Sequence, residues 1–164
     1  MIILSFDVGI KNLAYCQLDS NCKSILDWNV IDCTSINIIL KLISELDSIS
    51  NLLDTDLILI EKQPSFNPKM RIISTAIYVY FTLRINHEQN KKIKILYYSA
   101  KHKLKLCDVK LDKIYKSKYT YNKKVGIEQT KILLNKSPFL DFFNSHKKKD
   151  DLADCYLQAL AYIN

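Results

Sequence analysis

The stretch IILSFDVGIKNLAYCQLD, residues 2–19, decides the fold prediction. Its two apolar runs, residues 2–8 and 13–19, have the length and composition of β-strands, and Gly9 lies in the short connection between them. We therefore predict a β-hairpin at the start of the chain. Asp7 stands at the end of the first run. Such a carboxylate is either a turn residue beside a glycine or a functional group at the edge of a sheet.

Further patterns along the chain predict a mixed α/β sheet with helices on its faces. Strands are expected in ILDWNVIDC (25–33), DLILIEKQP (56–64) and IKILYYS (93–99). Helices are expected in INIILKLISELDSI (36–49), KMRIISTAIYVYFTLRINH (69–87), KVGIEQTKILL (124–134) and KKDDLADCYLQALAYI (148–163). We see no internal repeat and no linker, so residues 1–164 are expected to form a single domain.

Composition excludes several function classes. Two glycines among 164 residues leave no phosphate-binding P-loop or dinucleotide loop, so no nucleotide cofactor is expected. They also argue strongly against an actin-like ATPase, which needs further glycine-rich phosphate loops. The five cysteines are scattered and no membrane span or targeting segment is evident, which predicts reduced thiols in an intracellular compartment. The formal charge of +7 favours an acidic partner, nucleic acid first.

The positive charge is concentrated between Lys91 and Val125, where twelve lysines and two aspartates occur. Five tyrosines accompany these lysines: Tyr97, Tyr98, Tyr115, Tyr119 and Tyr121. Lysines that neutralise phosphates, with aromatic rings between them, are typical of a nucleic-acid surface. A solvated lysine-rich loop is an equally valid interpretation.

Carboxylates occur in three places where folding does not require them. Asp7 and Glu61 end strands, and Asp151 and Asp154 are three residues apart on the last predicted helix, so they share a face. Asp150 is turned about 100° from Asp151 and is the less favoured partner. Each acid also has a structural explanation as a turn, rim or helix N-terminal residue. Together they predict an all-oxygen site suited to Mg²⁺, with Mn²⁺ able to substitute.

These motifs resemble a known family. The segments SFDVGIKNLAYC, LILIEKQP, NKKVGIEQ and KKKDDLADCYLQALAYI are similar to the RuvC-type Holliday junction resolvases of the RNase H-like superfamily. The similarity is greatest to the poxviral, large-DNA-virus and fungal mitochondrial forms, and extends from residue 2 to residue 163. It implies an RNase H-like fold, a homodimer, and cleavage of four-way DNA junctions by paired symmetric nicks with two divalent ions. If the chain is viral, the host cytoplasm is its expected location.

The resemblance also assigns residues. The positions that match the family's acidic tetrad are Asp7, Glu61, Asp151 and Asp154. Lys124, or its neighbour Lys123, matches the region of the family's catalytic lysine. Residues near the acidic strand ends are expected to contact DNA, although solvated charges are an equal alternative. They are Lys11, Asn12, Lys62, Gln63, Lys69, Arg71 and Lys123.

Two alternatives to a junction resolvase stay open at this point. An RNase H-type nuclease acting on RNA–DNA hybrids would use the same acids. A non-catalytic module that binds branched DNA would explain the lysines but not the acids. For the homodimer, the long apolar helix from about Lys69 to Asn86 is one candidate interface, and packing against its own sheet is the other.

Overall fold

The structure is a computed structural model that describes residues 1–106, 108–112 and 115–164. The strands are β1 (Ile2–Asp7), β2 (Leu13–Asp19), β3 (Ser24–Ile31), β4 (Leu57–Glu61) and β5 (Lys94–Tyr98). The helices are α1 (Ile38–Asp47), α2 (Pro68–Phe81), α3 (Lys118–Leu133), α4 (Phe139–Ser145) and α5 (Lys149–Ile163). Short 3₁₀ turns occupy Ser50–Leu53 and Lys103–Leu106, and a π-helical segment, Thr82–Glu88, extends α2. Cys107 and Lys113, which belong to the predicted thiols and lysine-rich segment, lie outside the described residues.

The five strands form one mixed sheet in the order β3-β2-β1-β4-β5. Strands β1, β2 and β3 are antiparallel neighbours, whereas β4 and β5 run parallel to β1. The central strand β1 pairs with β2 on one side and with β4 on the other. This confirms the predicted mixed α/β architecture, and it brings the carboxyl ends of β1, β4 and β5 to the same edge.

Gly9 is required by the turn that follows β1. A Cβ atom at this position would lie only 2.5 Å from the backbone carbonyl oxygen of Asn12, closer than real Cβ contacts come. The glycine is therefore needed for close backbone approach rather than for a left-handed conformation, since its φ is not positive. The predicted hairpin is confirmed, with β1 ending at Asp7 opposite Ala14.

Both faces of the sheet are covered, which explains why its strands are continuous apolar runs. On one face, Leu4 and Phe6 pack in a core with residues of α1 and α2, such as Leu42 and Ile77. On the other face, Ile3 belongs to a second core formed with α4 and α5. In that second core Trp28 stacks on Phe143 of α4, with ring centroids 5.3 Å apart, and donates a hydrogen bond of 3.1 Å to the carbonyl oxygen of Leu152.

Helices α3 and α4 depart most from the sequence prediction. Helix α3 begins at Lys118 rather than Lys124, because the side chain of Ser117 caps it by accepting from the backbone N–H of Thr120. Helix α4 was not predicted. Within the described residues, no helix is both long and apolar enough to cross a membrane.

Candidate active site

Asp7 and Glu61 are brought together by the pairing of two parallel strands. Phe6 of β1 is in register with Ile60 of β4, so the next residue of each strand stands at the same sheet edge. Their carboxyl groups lie within hydrogen-bonding reach of each other. The sheet therefore holds two carboxylates side by side without contributions from a flexible loop.

Helix α5 adds the third carboxylate. The buried amide of Gln158 donates to the hydroxyl of Ser5 (3.0 Å) and to the carbonyl oxygen of Phe6 (3.1 Å), which fixes α5 across β1. Asp154 lies one turn earlier on α5, on the same face. It consequently lines the cleft beside Asp7 and Glu61.

Lys103 stands among these acids, and the sequence prediction missed it. Its Nζ lies 3.2 Å from Oε1 of Glu61 and 3.1 Å from Oδ1 of Asp154, and the residue is only 9% exposed. It belongs to the 3₁₀ turn that follows β5. The sequence gives no signal that singles it out, because it is one of twelve lysines between Lys91 and Val125.

The crowding of charge changes the protonation of these carboxyls. Burial, together with the charges of Glu61 and Asp154, raises the pKa of Asp7 well above its usual value. Burial also raises the pKa of Asp154, although Lys103 opposes this effect. Burial would raise the pKa of Glu61 as well, but Lys103 and the hydrogen bond with Asp7 outweigh it and lower that pKa.

Asp151 enters the same cleft but has different basic partners. Nζ of Lys123 lies 3.6 Å from Asp151 Oδ1 and also pairs with Asp150. These pairs raise the pKa of Lys123 against the effect of its burial, and its ammonium also lies 5.2 Å from the ring centre of Tyr119. Asp150, the less favoured acid in the sequence prediction, thus serves as a counter-ion for Lys123.

The cleft encloses about 420 Å³. It is lined by Asp7, Val8, Glu61, Ala100, Lys101, Lys103, Tyr119, Asn122, Lys123, Asp151 and Asp154. All four predicted acids are therefore present. Of the two candidate lysines, Lys123 lines the cleft, whereas Lys124, which the sequence analysis favoured, is exposed and does not line it.

Three of the seven predicted DNA contacts line a second groove of about 760 Å³. Lys62, Gln63 and Arg71 line it, whereas Lys11 and Lys69 are exposed outside its lining. Asn12 lies in the turn after β1 and is partly exposed. Gln63 has a role that the sequence did not indicate, because its amide donates to Oε2 of Glu61 at 3.1 Å and so orients that carboxylate.

The donor set suits a divalent cation. Carboxylate oxygens are the ligands that Mg²⁺ and Mn²⁺ prefer. Oδ2 of Asp151 is buried and accepts no hydrogen bond from the described residues, although Lys148 Nζ lies 3.3 Å away. In this structure the carboxylates are not arranged as a complete set of metal ligands. Among the described residues, no three His, Cys, Asp or Glu side chains come close enough together to hold one ion. Metal binding by all four acids stays a prediction.

A mixed sheet of this order, with helices on both faces and acids at the adjacent ends of β1 and β4, defines an RNase H-like fold. Within that class the chain belongs to the family described as Poxvirus A22 protein, whose family model matches residues 1–164. This match confirms the resemblance of the sequence to the poxviral members of the resolvase family.

Solved structures of similar fold come from viruses, yeast and bacteria. Fowlpox virus resolvase in complex with Holliday junction DNA aligns with a TM-score of 0.67 and 24% identity, covering 99% of this chain and 97% of that one. The yeast mitochondrial Holliday junction resolvase gives a TM-score of 0.61 and 22% identity, over 98% of this chain and 78% of that one. Thermus thermophilus RuvC gives a TM-score of 0.65 and 12% identity, over 99% of this chain and 95% of that one. At these identities the similarity establishes the fold.

A relative in sequence occurs in Acanthamoeba polyphaga mimivirus. An uncharacterised protein of that virus is 38% identical over 137 residues, which cover 75% of this chain and 33% of the relative. The chain thus spans about a third of the length of this curated relative.

Proposed function

We propose that this chain is a metal-dependent endonuclease that resolves four-way DNA junctions by paired, symmetric nicks. The observation that carries the proposal is the gathering of Asp7, Glu61 and Asp154 at one sheet edge, inside a cleft that also holds lysines. The fowlpox virus resolvase, which shares this fold, has been solved in complex with Holliday junction DNA. Acids and cations in one cleft are what cleavage of an anionic phosphodiester requires.

Each side chain of the cleft has a proposed role in that reaction. Asp7, Glu61 and Asp154 hold divalent Mg²⁺ or Mn²⁺, two ions per site, with Asp151 as a further ligand or as the group that orients the attacking water. When bound, such ions activate water and stabilise the leaving oxygen. Lys123 is placed by Asp150 and Asp151 to meet the scissile phosphate and stabilise its developing charge.

The second groove is proposed to bind the DNA backbone. Lys62 and Arg71 line it, and Lys69 is exposed two positions before Arg71 on α2, so several phosphates can be neutralised at once. Lys11, which is exposed in the turn after β1, is proposed as a further phosphate contact. Phe66 lies in the loop between β4 and α2 and is 86% exposed. An aromatic ring exposed to solvent in this way suits stacking on a base of the DNA.

A homodimer is proposed because a four-way junction offers two equivalent strands to two equivalent sites. Three apolar side chains on α2 and its extension lie on one face and remain exposed: Ile72 (58%), Val79 (48%) and Leu83 (50%). The opposite face of the helix already packs on the sheet through residues such as Ile73 and Ile77. The exposed face is therefore available to the same helix of a second copy.

We also propose that residues 1–164 act as one domain in a reducing compartment, the host cytoplasm. The four described cysteines are Cys16, Cys22, Cys33 and Cys155, and none of them is paired in a disulfide. The family match to a poxvirus protein supports a viral origin.

The decisive experiment compares substrates. Purified protein is incubated with a mobile four-way junction, a linear duplex of the same sequence and an RNA–DNA hybrid, each with Mg²⁺, Mn²⁺ or chelator. We expect metal-dependent paired nicks in the junction only. Preferential cutting of the hybrid would favour an RNase H-type nuclease, and junction binding without cleavage would favour a non-catalytic module.

A further inference from the structure

The central feature of the cleft is a lysine inserted among acids. The ammonium of Lys103 lies between Glu61 and Asp154, about equally far from one oxygen of each, and its charge also acts on Asp7. The residue is only 9% exposed, so the ion pairs lie largely out of contact with solvent. A buried ammonium is thus paired with two of the groups assigned to the metal.

The ammonium of Lys103 reduces the repulsion among the carboxylates of the metal-free cleft. Like charges on buried carboxyls repel one another, and burial penalises each charge further. Asp7, Glu61 and Asp154 line one cleft and therefore share this cost. A cation inserted between the carboxylates offsets it, and Lys103 supplies one from the chain itself.

A divalent cation would meet the same oxygens. Oε1 of Glu61 and Oδ1 of Asp154 cannot keep the ammonium at about 3 Å and also coordinate a metal ion at the same place without strong cation–cation repulsion. The lysine side chain has a flexible four-carbon stem that lets its ammonium move while the backbone stays in place. The cleft is also open to solvent beside Lys101 and Tyr119, which line it.

We propose that Lys103 is a built-in counter-ion of the metal-free cleft, whose ammonium withdraws from Glu61 and Asp154 when a divalent metal ion binds. The proposal rests on the proposed function, since it requires that these acids bind metal. Lys103 thereby stabilises the protein without metal and lowers its affinity for metal. The two effects are linked, because both arise from one ion-pair network.

The first test measures Mn²⁺ affinity by titration calorimetry on the wild-type protein and on Lys103→Met. We expect the variant to bind Mn²⁺ about tenfold more tightly, a typical size for coupling between two competing ligands. Its melting temperature should fall in chelator and recover at saturating Mn²⁺. The matched control is Lys41→Met, which removes a lysine paired with Glu45 on α1, outside the cleft, and should leave Mn²⁺ affinity unchanged.

A second test needs no variant. The wild-type protein is treated briefly with an amine-acetylating reagent, with chelator or with saturating Mn²⁺, and modification is read by mass spectrometry. Lys103 should react slowly in chelator and several-fold faster with Mn²⁺, while Lys41 reacts equally in both. Equal reactivity of Lys103 in the two conditions would overturn the proposal.

The outcomes distinguish a failure of the counter-ion role of Lys103 from a failure of metal-dependent junction cleavage. If the wild-type protein binds Mn²⁺ and cuts junctions but Lys103→Met binds the metal no more tightly, the counter-ion proposal alone is wrong. If the wild-type protein neither binds metal nor cuts any of the three DNA and hybrid substrates, the proposed function is wrong and the counter-ion proposal falls with it.

Discussion

The side-chain amide of Gln158 donates a hydrogen bond of 3.1 Å to the carbonyl oxygen of Phe6, across 152 positions of the chain. Phe6 precedes Asp7, and Gln158 lies one helical turn after Asp154. Together with the bond from the same amide to Ser5, this contact ties the helix that carries Asp154 to the strand that carries Asp7. It also occupies an amide that is only 2% exposed and that would otherwise be buried without a partner.

Replacing Gln158 by leucine tests whether this contact contributes to stability and to the placing of Asp154. The variant keeps the size and the burial of the side chain but loses both hydrogen bonds, so we expect the free energy of unfolding to fall by about 1–2 kcal/mol. Asp154 would be less firmly placed, and junction cleavage should slow about tenfold, since small displacements of catalytic groups are costly. Urea unfolding and single-turnover cleavage measure the two quantities.

The matched control is Gln89→Leu, which makes the same replacement at an exposed position outside the cleft. It should change neither stability nor cleavage appreciably. A Gln158→Leu variant that is destabilised but cleaves at the wild-type rate would show that the contact does not position Asp154.

The two adjacent lysines of α3 offer a paired comparison. Lys123 lines the cleft and pairs with Asp150 and Asp151, whereas Lys124 is exposed. We expect Lys123→Met to reduce the cleavage rate about a hundredfold, the scale of losing one group that stabilises transition-state charge. Lys124→Met should reduce it less than about threefold. The reverse order would restore the assignment that the sequence resemblance favoured.

The acidic residues could be predicted because their positions follow from local periodicity. Asp7 and Glu61 close apolar runs, and parallel strands place such ends at one edge. Asp151 and Asp154 share a helix face through their spacing of three. These relationships require no knowledge of tertiary packing, and the structure brings all four residues to one cleft.

The lysines could not be predicted in the same way. Lys103 is one of twelve lysines between Lys91 and Val125, and only the packing of the turn after β5 against α5 selects it. The choice between Lys123 and Lys124 depends on the rotation of α3 about its axis, which is set by contacts distant in sequence. Helix α4 escaped prediction because seven residues are too few to show a helical period, and its aromatic contacts with Trp28 stabilise it.

The proposed DNA groove predicts a specific salt dependence. Lys62→Ala and Arg71→Ala should each weaken binding to the junction in chelator and reduce the slope of log affinity against log salt by about one. Fluorescence anisotropy between low and moderate salt measures that slope. Lys131→Ala is the control, because Lys131 pairs with Glu128 on α3 and does not line the groove. An unchanged slope in both groove variants would exclude phosphate contacts there.

The exposed face of α2 predicts the oligomeric state. Leu83→Glu introduces a charge into the proposed apolar interface, and two copies would bury it twice at a symmetric contact. We expect the mass in solution, measured by light scattering, to fall from that of two chains to that of one. Ile132→Glu makes the same change at an exposed site on α3 and should leave the dimer intact. A Leu83→Glu variant that remains dimeric would place the interface elsewhere.

The central claim is that the carboxylates around Asp7 cut DNA with the help of divalent metal. Its most direct test compares the wild-type protein with Asp7→Asn on a mobile four-way junction, with Asp141→Asn on α4 as the control. We predict that Asp7→Asn binds the junction in chelator and melts no lower than the wild type, because it removes a charge from a crowded cluster. Its Mg²⁺-dependent cleavage should be about a thousandfold slower, equivalent to several kcal/mol of lost transition-state stabilisation. Cleavage by Asp7→Asn at the wild-type rate would contradict the claim.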